Sequence, residues 1–85
     1  MFSSWGIFLG VLAPWRLNIF MRIKVNGQDF ELPEASDIHA ILAAHQLKPD
    51  KVAVELNRRL VRAEKYGTAV KEGDEVEIVT FVGGG

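Results

Sequence analysis

The residues of this chain with the most distinctive chemical opportunity stand at its end as written, Gly83-Gly84-Gly85. Glycine has no Cβ, so a run of it follows nearly any backbone path and enters spaces that ordinary side chains cannot. Gly83 and Gly84 are accordingly read as a flexible approach, and Gly85 as the residue that offers a reactive group. That group is an α-carboxylate, ionised at neutral pH because such carboxyls titrate near about pH 3.5. A carboxylate resists nucleophilic attack at carbon, since oxide does not leave. It can itself attack the α-phosphorus of ATP to give an acyl adenylate. AMP then departs when a persulfide arrives, and reduction of the acyl disulfide leaves a thiocarboxylate. Glycine-rich ends without any chemistry are also common, so the run alone leaves both readings open.

The other reactive side chains offer less. The chain has no cysteine, which excludes disulfides, thiolate metal sites and cysteine nucleophiles; any sulfur it handles cannot ride on a side-chain thiol. His39 and His45 are six residues apart, which puts them on different sides of a helix and makes a weak metal pair. His45 reads as a packed or cap-proximal histidine. Glu72, Asp74, Glu75 and Glu77 cluster near the last strand but lack the loop spacing of a calcium site, and a solvated strand edge is the better reading. Arg58-Arg59 reads as a solvated basic pair in a tight connection. No glycine-rich loop follows a strand and opens a helix, so ATP is expected to bind elsewhere than on this chain. No catalytic residue and no metal site is assigned.

The elements that would carry the glycines can be read from Met21 onward. Arg22-Ile23-Lys24-Val25 alternates polar and apolar residues, as a half-buried strand does. Asn26-Gly27 follows, a strong signal for a type I′ hairpin turn, and Asp29-Phe30-Glu31-Leu32 alternates again up to Pro33. Ser36 or Asp37 can cap a helix. Ile38, Ile41, Leu42 and His45 then recur at helical spacing, Leu47 closes the stripe and Pro49 stops it, which predicts about three turns. Val52–Leu56 is a third strand rich in β-branched residues, and Asn57-Arg58-Arg59 connects it to a short run, Leu60-Val61. Residues 62–70 show no period and read as a loop with at most one helical turn. Lys71-Glu72-Gly73-Asp74 is a turn, and Glu75–Val82 is the last strand, leading into the glycines. The order β-β-α-β-β-β predicts an α+β fold with one helix packed on one face of a sheet. Val76 and Ile78 are expected to face the helix, leaving Val79 and Phe81 on the open face as a rim of the core or a docking patch.

At 85 residues the chain allows one small domain, and its net charge of −1 gives no electrostatic footprint for nucleic acid. Composition changes sharply at Met21. All 11 acidic and 9 of the 10 basic residues follow it, while residues 1–20 hold only Arg16, both tryptophans and three of the five phenylalanines. The uncharged run Trp5–Trp15 is too short to span a membrane, which takes about 20 apolar residues. Met1-Phe2-Ser3-Ser4 also lacks the basic start of a secretory signal. Residues 1–20 are therefore read as an N-terminal extension, disordered or arising from a start upstream of the natural one at Met21. A docked arm and a membrane or partner anchor are the other readings. Residues 21–82 form the domain and 83–85 the tail.

Three stretches bear a family resemblance: Met21-Arg22-Ile23-Lys24-Val25-Asn26-Gly27, Val54-Glu55-Leu56-Asn57, and Gly73-Asp74-Glu75-Val76-Glu77-Ile78-Val79-Thr80-Phe81-Val82-Gly83-Gly84-Gly85. Together, in this order and spacing, they resemble the sulfur carrier (ThiS) family of thiamine biosynthesis over residues 21–85. The resemblance implies a ubiquitin-like β-grasp fold and a cytoplasmic carrier, not an enzyme. It implies that an E1-like adenylyltransferase (ThiF-like) uses ATP and Mg²⁺ to adenylate Gly85. A persulfide-bearing donor would then convert Gly85 to a thiocarboxylate, and a thiazole synthase (ThiG-like) would take the sulfur. It also implies that Val79 and Phe81 belong to the strand face that meets these partners, with no nucleic acid and no membrane involved. The small subunit of molybdopterin synthase shares the fold and the Gly-Gly end but usually carries prolines before its tail; Val79-Thr80-Phe81-Val82 has none. A ubiquitin-like interaction or conjugation module is the third reading.

Overall fold

In the computed structural model, which describes residues 19–81, the chain's two hairpins and its last strand build one mixed sheet. Strand β1 (Phe20–Val25) pairs antiparallel with β2 (Gln28–Pro33). The turn between them is Asn26-Gly27, with φ of +50° and +84°, the left-handed pair that a type I′ turn requires. Strand β3 (Val52–Leu56) pairs antiparallel with the short β4 (Arg59–Val61). A second left-handed pair, Asn57 at φ +51° and Arg58 at +71°, makes that turn. Strand β5 (Glu75–Thr80) enters between the hairpins, parallel to β1 and antiparallel to β3, so the sheet order is β2-β1-β5-β3-β4.

Helix α1 (Ile38–Ala44) lies between the hairpins in sequence. Asp37, not Ser36, is its N-cap: the Ala40 N–H donates to Asp37 Oδ1 at 2.9 Å, satisfying one of the orphan donors of the first turn. The Ser36 hydroxyl instead donates to the Pro33 carbonyl at 2.6 Å. Strand alternation places Met21, Ile23, Val25, Val76 and Ile78 on one face, where they join Ile38, Ile41 and Leu42 of α1 in a single apolar cluster. This is the β-β-α-β-β-β order and one-sided packing of the α+β, β-grasp reading.

Besides the last strand, which ends at Thr80 with Phe81 already outside it, two features depart from the sequence expectation. The helix has seven residues rather than about three turns. Leu47 N–H donates to the Leu42 carbonyl at 2.8 Å and Gln46 N–H to the Ala43 carbonyl at 3.0 Å, with Gln46 at φ +60°. That is a Schellman ending. It lets Leu47 pack on the core from the cap instead of from a further helical turn. The stretch 62–70, read as a loop, is more than a connection. It holds a 3₁₀ turn (Ala63–Lys65), buries Tyr66 and Val70 in the core, and closes the helix start, since Ile38 and His39 N–H both donate to the Tyr66 carbonyl. Its aperiodic sequence hid this because the two buried residues serve a crossing segment rather than a regular element.

The left-handed cap position occupied by Gln46 carries the cost of a Cβ that glycine would not have. Gln46→Gly is expected to stabilise the domain by about 0.5–1 kcal/mol, measured as a rise in the urea midpoint without a change in slope.

Candidate functional site

Strand β5 is the element that leads toward the glycines. Its burial alternates as expected: Val76 and Ile78 are buried, while Glu75, Glu77 and Val79 are exposed on the opposite face. The strand ends at Thr80, and the Phe81 N–H donates to the Lys51 carbonyl at 2.8 Å, fixing the last described residue against the segment before β3. Val82, Gly83, Gly84 and Gly85 lie outside the described residues, as do residues 1–18 of the expected N-terminal extension.

Val79 is 60% and Phe81 57% exposed; alternation with the buried Ile78 puts Val79 on the sheet face away from the helix, and Phe81 follows just beyond the strand. Two further apolar side chains share that face. Ala53 sits directly opposite Val79 on β3, and Leu60, 68% exposed, sits opposite Glu55 on β4. Leu60 was not singled out from sequence. A signal for it existed: in a three-residue strand with Val61 turned inward, period-2 alternation sends Leu60 outward.

The rest of the open face is charged. Across β1 and β2, Arg22 Nη2 meets Glu31 at 3.2 Å and Lys24 Nζ meets Asp29 at 2.9 Å, both pairs well exposed. Exposed cross-strand pairs of this kind contribute little to stability. They do define the face, making it polar at β1–β2 and apolar where β5 ends. Among the described residues, two shallow grooves of about 510 and 180 Å³ follow β1, lined by residues such as Arg22, Glu31, Glu72 and Glu75, away from the Val79–Phe81 end.

The acids around the last turn have structural tasks. Asp74 Oδ2 accepts from the Lys71 N–H at 2.8 Å and its Oδ1 from Asn57 Nδ2 at 3.0 Å, while Glu72 Oε1 accepts from the Arg22 N–H at 2.8 Å. Gly73, at φ +86°, makes the turn possible and donates to the Arg22 carbonyl. No group of three or more candidate metal ligands occurs among the described residues. His45 caps the C-terminus of α1, its Nδ1 2.8 Å from the Ile41 carbonyl, and its ring lies 4.8 Å from that of Phe30. His39 packs edge-on against Tyr66.

The amides of two asparagines grip β5. Asn57 Oδ1 accepts from the Glu75 N–H at 2.9 Å, and its own N–H donates to the Glu75 carbonyl at 2.7 Å. Asn26 Oδ1 accepts from the Ile78 N–H at 2.7 Å, and its Nδ2 donates to the Ile78 carbonyl at 3.2 Å. From sequence both asparagines read as turn formers; the second task could not be read without knowing which strand lies beside each turn.

Comparison with known proteins agrees with this arrangement. The ThiS family model matches residues 20–85. The chain is 35% identical over 65 residues to the sulfur carrier protein ThiS of Bacillus subtilis, covering 74% of this chain and 98% of that one. It is 36% identical over 66 residues to a thiazole synthase of Magnetococcus marinus, covering 76% of this chain but only 20% of that protein, so the chain spans about a fifth of that relative's length. In structure it is similar to the thiamine biosynthesis protein ThiS from Geobacter metallireducens. The TM-score is 0.62 at 35% identity, over 76% of this chain and all of the other.

The polar half of the face yields a titration test. The Lys24 ammonium, hydrogen-bonded to Asp29 and opposite to it in charge, holds that carboxyl below the ordinary aspartate range, with a smaller pull from Arg22. A depressed folded-state value means that the pair's contribution is present above the unfolded-state pKa and lost as pH falls through the folded one. Lys24→Met is expected to return the Asp29 titration upward toward the ordinary range, read by carboxyl-carbon NMR. An unmoved midpoint would show that the pair is not formed in solution.

Proposed function

The chain belongs to the ThiS family of sulfur carriers in thiamine biosynthesis, and from that premise we propose that its working group is the carboxylate of Gly85. The observation that carries the reading is the pairing of an exposed apolar strand end, Val79 on β5 with Phe81 just beyond it, with the glycine run that follows in sequence. An E1-like adenylyltransferase docks on that strand end and threads Gly83-Gly84-Gly85 into its own nucleotide site. There the carboxylate oxygen attacks the α-phosphorus of Mg²⁺-bound ATP, and pyrophosphate leaves.

The acyl adenylate is then attacked by the terminal sulfur of a persulfide on the donor enzyme. The C–S bond forms, AMP leaves with the C–O electrons, and the product is an acyl disulfide. A thiol cleaves its S–S bond, releasing the thiocarboxylate and taking the other sulfur into a new disulfide. The thiocarboxylate is the form in which a thiazole synthase accepts sulfur. The thiazole synthase of Magnetococcus marinus, which contains a stretch similar to this chain, supports that acceptor: a carrier-like segment and a protein of that name share one polypeptide.

The division of labour follows from residue chemistry. Without cysteine, and with its histidines holding local contacts on α1, the chain supplies a carboxylate, a path to it and a surface. ATP and Mg²⁺ belong to the partner in this reading: among the described residues no phosphate-cradling glycine loop lies between a strand and a helix. The chain is a co-substrate.

Two variants test this. Adding one residue after Gly85 moves the carboxylate one position beyond the reach set by the glycines. It is expected to abolish complementation of a thiamine auxotroph lacking its own carrier, while circular dichroism remains native. Phe81→Ala is expected to lower the rate of adenylation about tenfold, as loss of a central apolar anchor does. Complementation by the extended chain would overturn the carboxylate assignment, and a native rate for Phe81→Ala would remove Phe81 from the docking surface.

A further inference from the structure

Strand β5 has a problem at its far end that the two hairpins do not solve through main-chain pairing. Its register with β1 covers Lys24↔Glu75 and Val25↔Val76. The Lys24 N–H donates to the Asp74 carbonyl and the Asn26 N–H to the Val76 carbonyl, at 2.9 and 2.8 Å. At Asn26-Gly27 the chain reverses into β2, so β1 offers no further peptide groups to the residues that follow Val76. Residues 78–81, which include the exposed Val79 and Phe81, would be left with β3 alone on one side.

The asparagine at the turn replaces the missing rung. A carboxamide has the same acceptor and donor as a peptide group, and Asn26 directs both at one residue: Oδ1 to the Ile78 N–H and Nδ2 to the Ile78 carbonyl. The parallel ladder is thus extended by one residue using a side chain. The position is demanding, because the same residue must also hold φ at +50°. Glycine accepts that backbone but has no amide. Aspartate tolerates it and keeps the acceptor, yet sets a carboxylate oxygen against the Ile78 carbonyl. Asparagine alone among the common left-handed residues meets both conditions.

We propose that Asn26 is a positioning residue for the carrier reaction: its carboxamide holds the distal half of β5 in sheet register, so that Val79 and Phe81 are presented to a partner already in place. The functional half of this proposal rests on the carrier reading; the structural half does not. Without the amide, β5 loses its hold on the β1 side at Ile78 while its β3 side stays paired, and docking must first restore that hold. That cost falls on association and not on the chemistry that follows.

The alternation along β5 supplies an internal control. The Asn57 and Lys51 contacts go to Glu75 and Phe81, so the odd-numbered residues direct their amides toward β3, and the even-numbered ones toward β1. Removing the Asn26 amide therefore uncovers Ile78 while leaving the β3 side paired.

The test uses the full chain with Asn26→Gly, which keeps the left-handed turn and deletes the amide, and Asn26→Asp as a second variant of nearly native volume. By residue-resolved hydrogen exchange, the Ile78 amide in Asn26→Gly is expected to exchange about tenfold faster, with the amides of Glu77 and Val79 changed far less. In adenylyltransferase assays following pyrophosphate release, both variants are expected to raise KM for the chain about tenfold with kcat within about twofold of native. Unchanged Ile78 exchange, or acceleration spread evenly over all five strands, would overturn the proposal, as would an unaltered KM. If the enzyme fails to use even the native chain, the carrier reading falls, while the exchange result still decides whether Asn26 holds β5.

Discussion

The parallel pairing of β1 with β5 is the interaction on which the remaining structure depends. It joins segments about 50 residues apart, as the contacts Arg22–Glu72 and Asn26–Ile78 show. Bringing such distant segments together costs loop-closure entropy before any contact repays it. The repayment comes from several places at once. Val76 and Ile78 enter the apolar cluster beneath α1, the turn at Gly73 bonds back to Arg22, and β3 closes the other edge of β5 over five paired residues. Once β5 is central, the two hairpins become symmetric supports. Each has an asparagine in a left-handed turn, and each turn sends a carboxamide to the backbone of the strand between them.

That placement also leaves one face of the sheet without a covering helix. The helix covers only one side of the sheet, so alternation along β5 must leave half its residues open. Over β1 and β2 the open positions hold cross-strand ion pairs, which keep the surface soluble and add little stability. At the other end they hold Val79, Phe81 and Leu60. A rigid strand ending in apolar residues, followed in sequence by residues without side chains, suits a protein that is recognised by its body and acted on at its tip. The chemistry then needs no cavity in a domain too small to build a deep one.

Much of this was legible in the residues. Asn26-Gly27 between two alternating runs identifies the first hairpin, the β-branched run Val52–Leu56 marks its strand, and alternation in the last strand turns Val79 outward, though that strand ends at Thr80 rather than running on through Phe81. The apolar stripe overstates the helix because Leu47 continues it. Nothing local announced that Gln46 would take a glycine's conformation and bring Leu47 in by a cap. Tyr66 and Val70 were missed because their burial depends on a crossing segment with no period. The second task of Asn26 depends on a residue 52 positions away, and only topology brings the two together. Local signals were read well where one element's own pattern decided the outcome, and poorly where a neighbour distant in sequence decided it.

The central claim is that sulfur is carried on the Gly85 carboxylate, and the most direct measurement is the mass of the chain itself. The full chain would be incubated with ATP, Mg²⁺, the adenylyltransferase and a persulfide donor, then weighed intact and fragmented. The account predicts a gain equal to the exchange of one oxygen for one sulfur, located on Gly85. An unchanged mass while the adenylyltransferase consumes ATP, sulfur located on any other residue, or a ladder of adducts to lysines would contradict it.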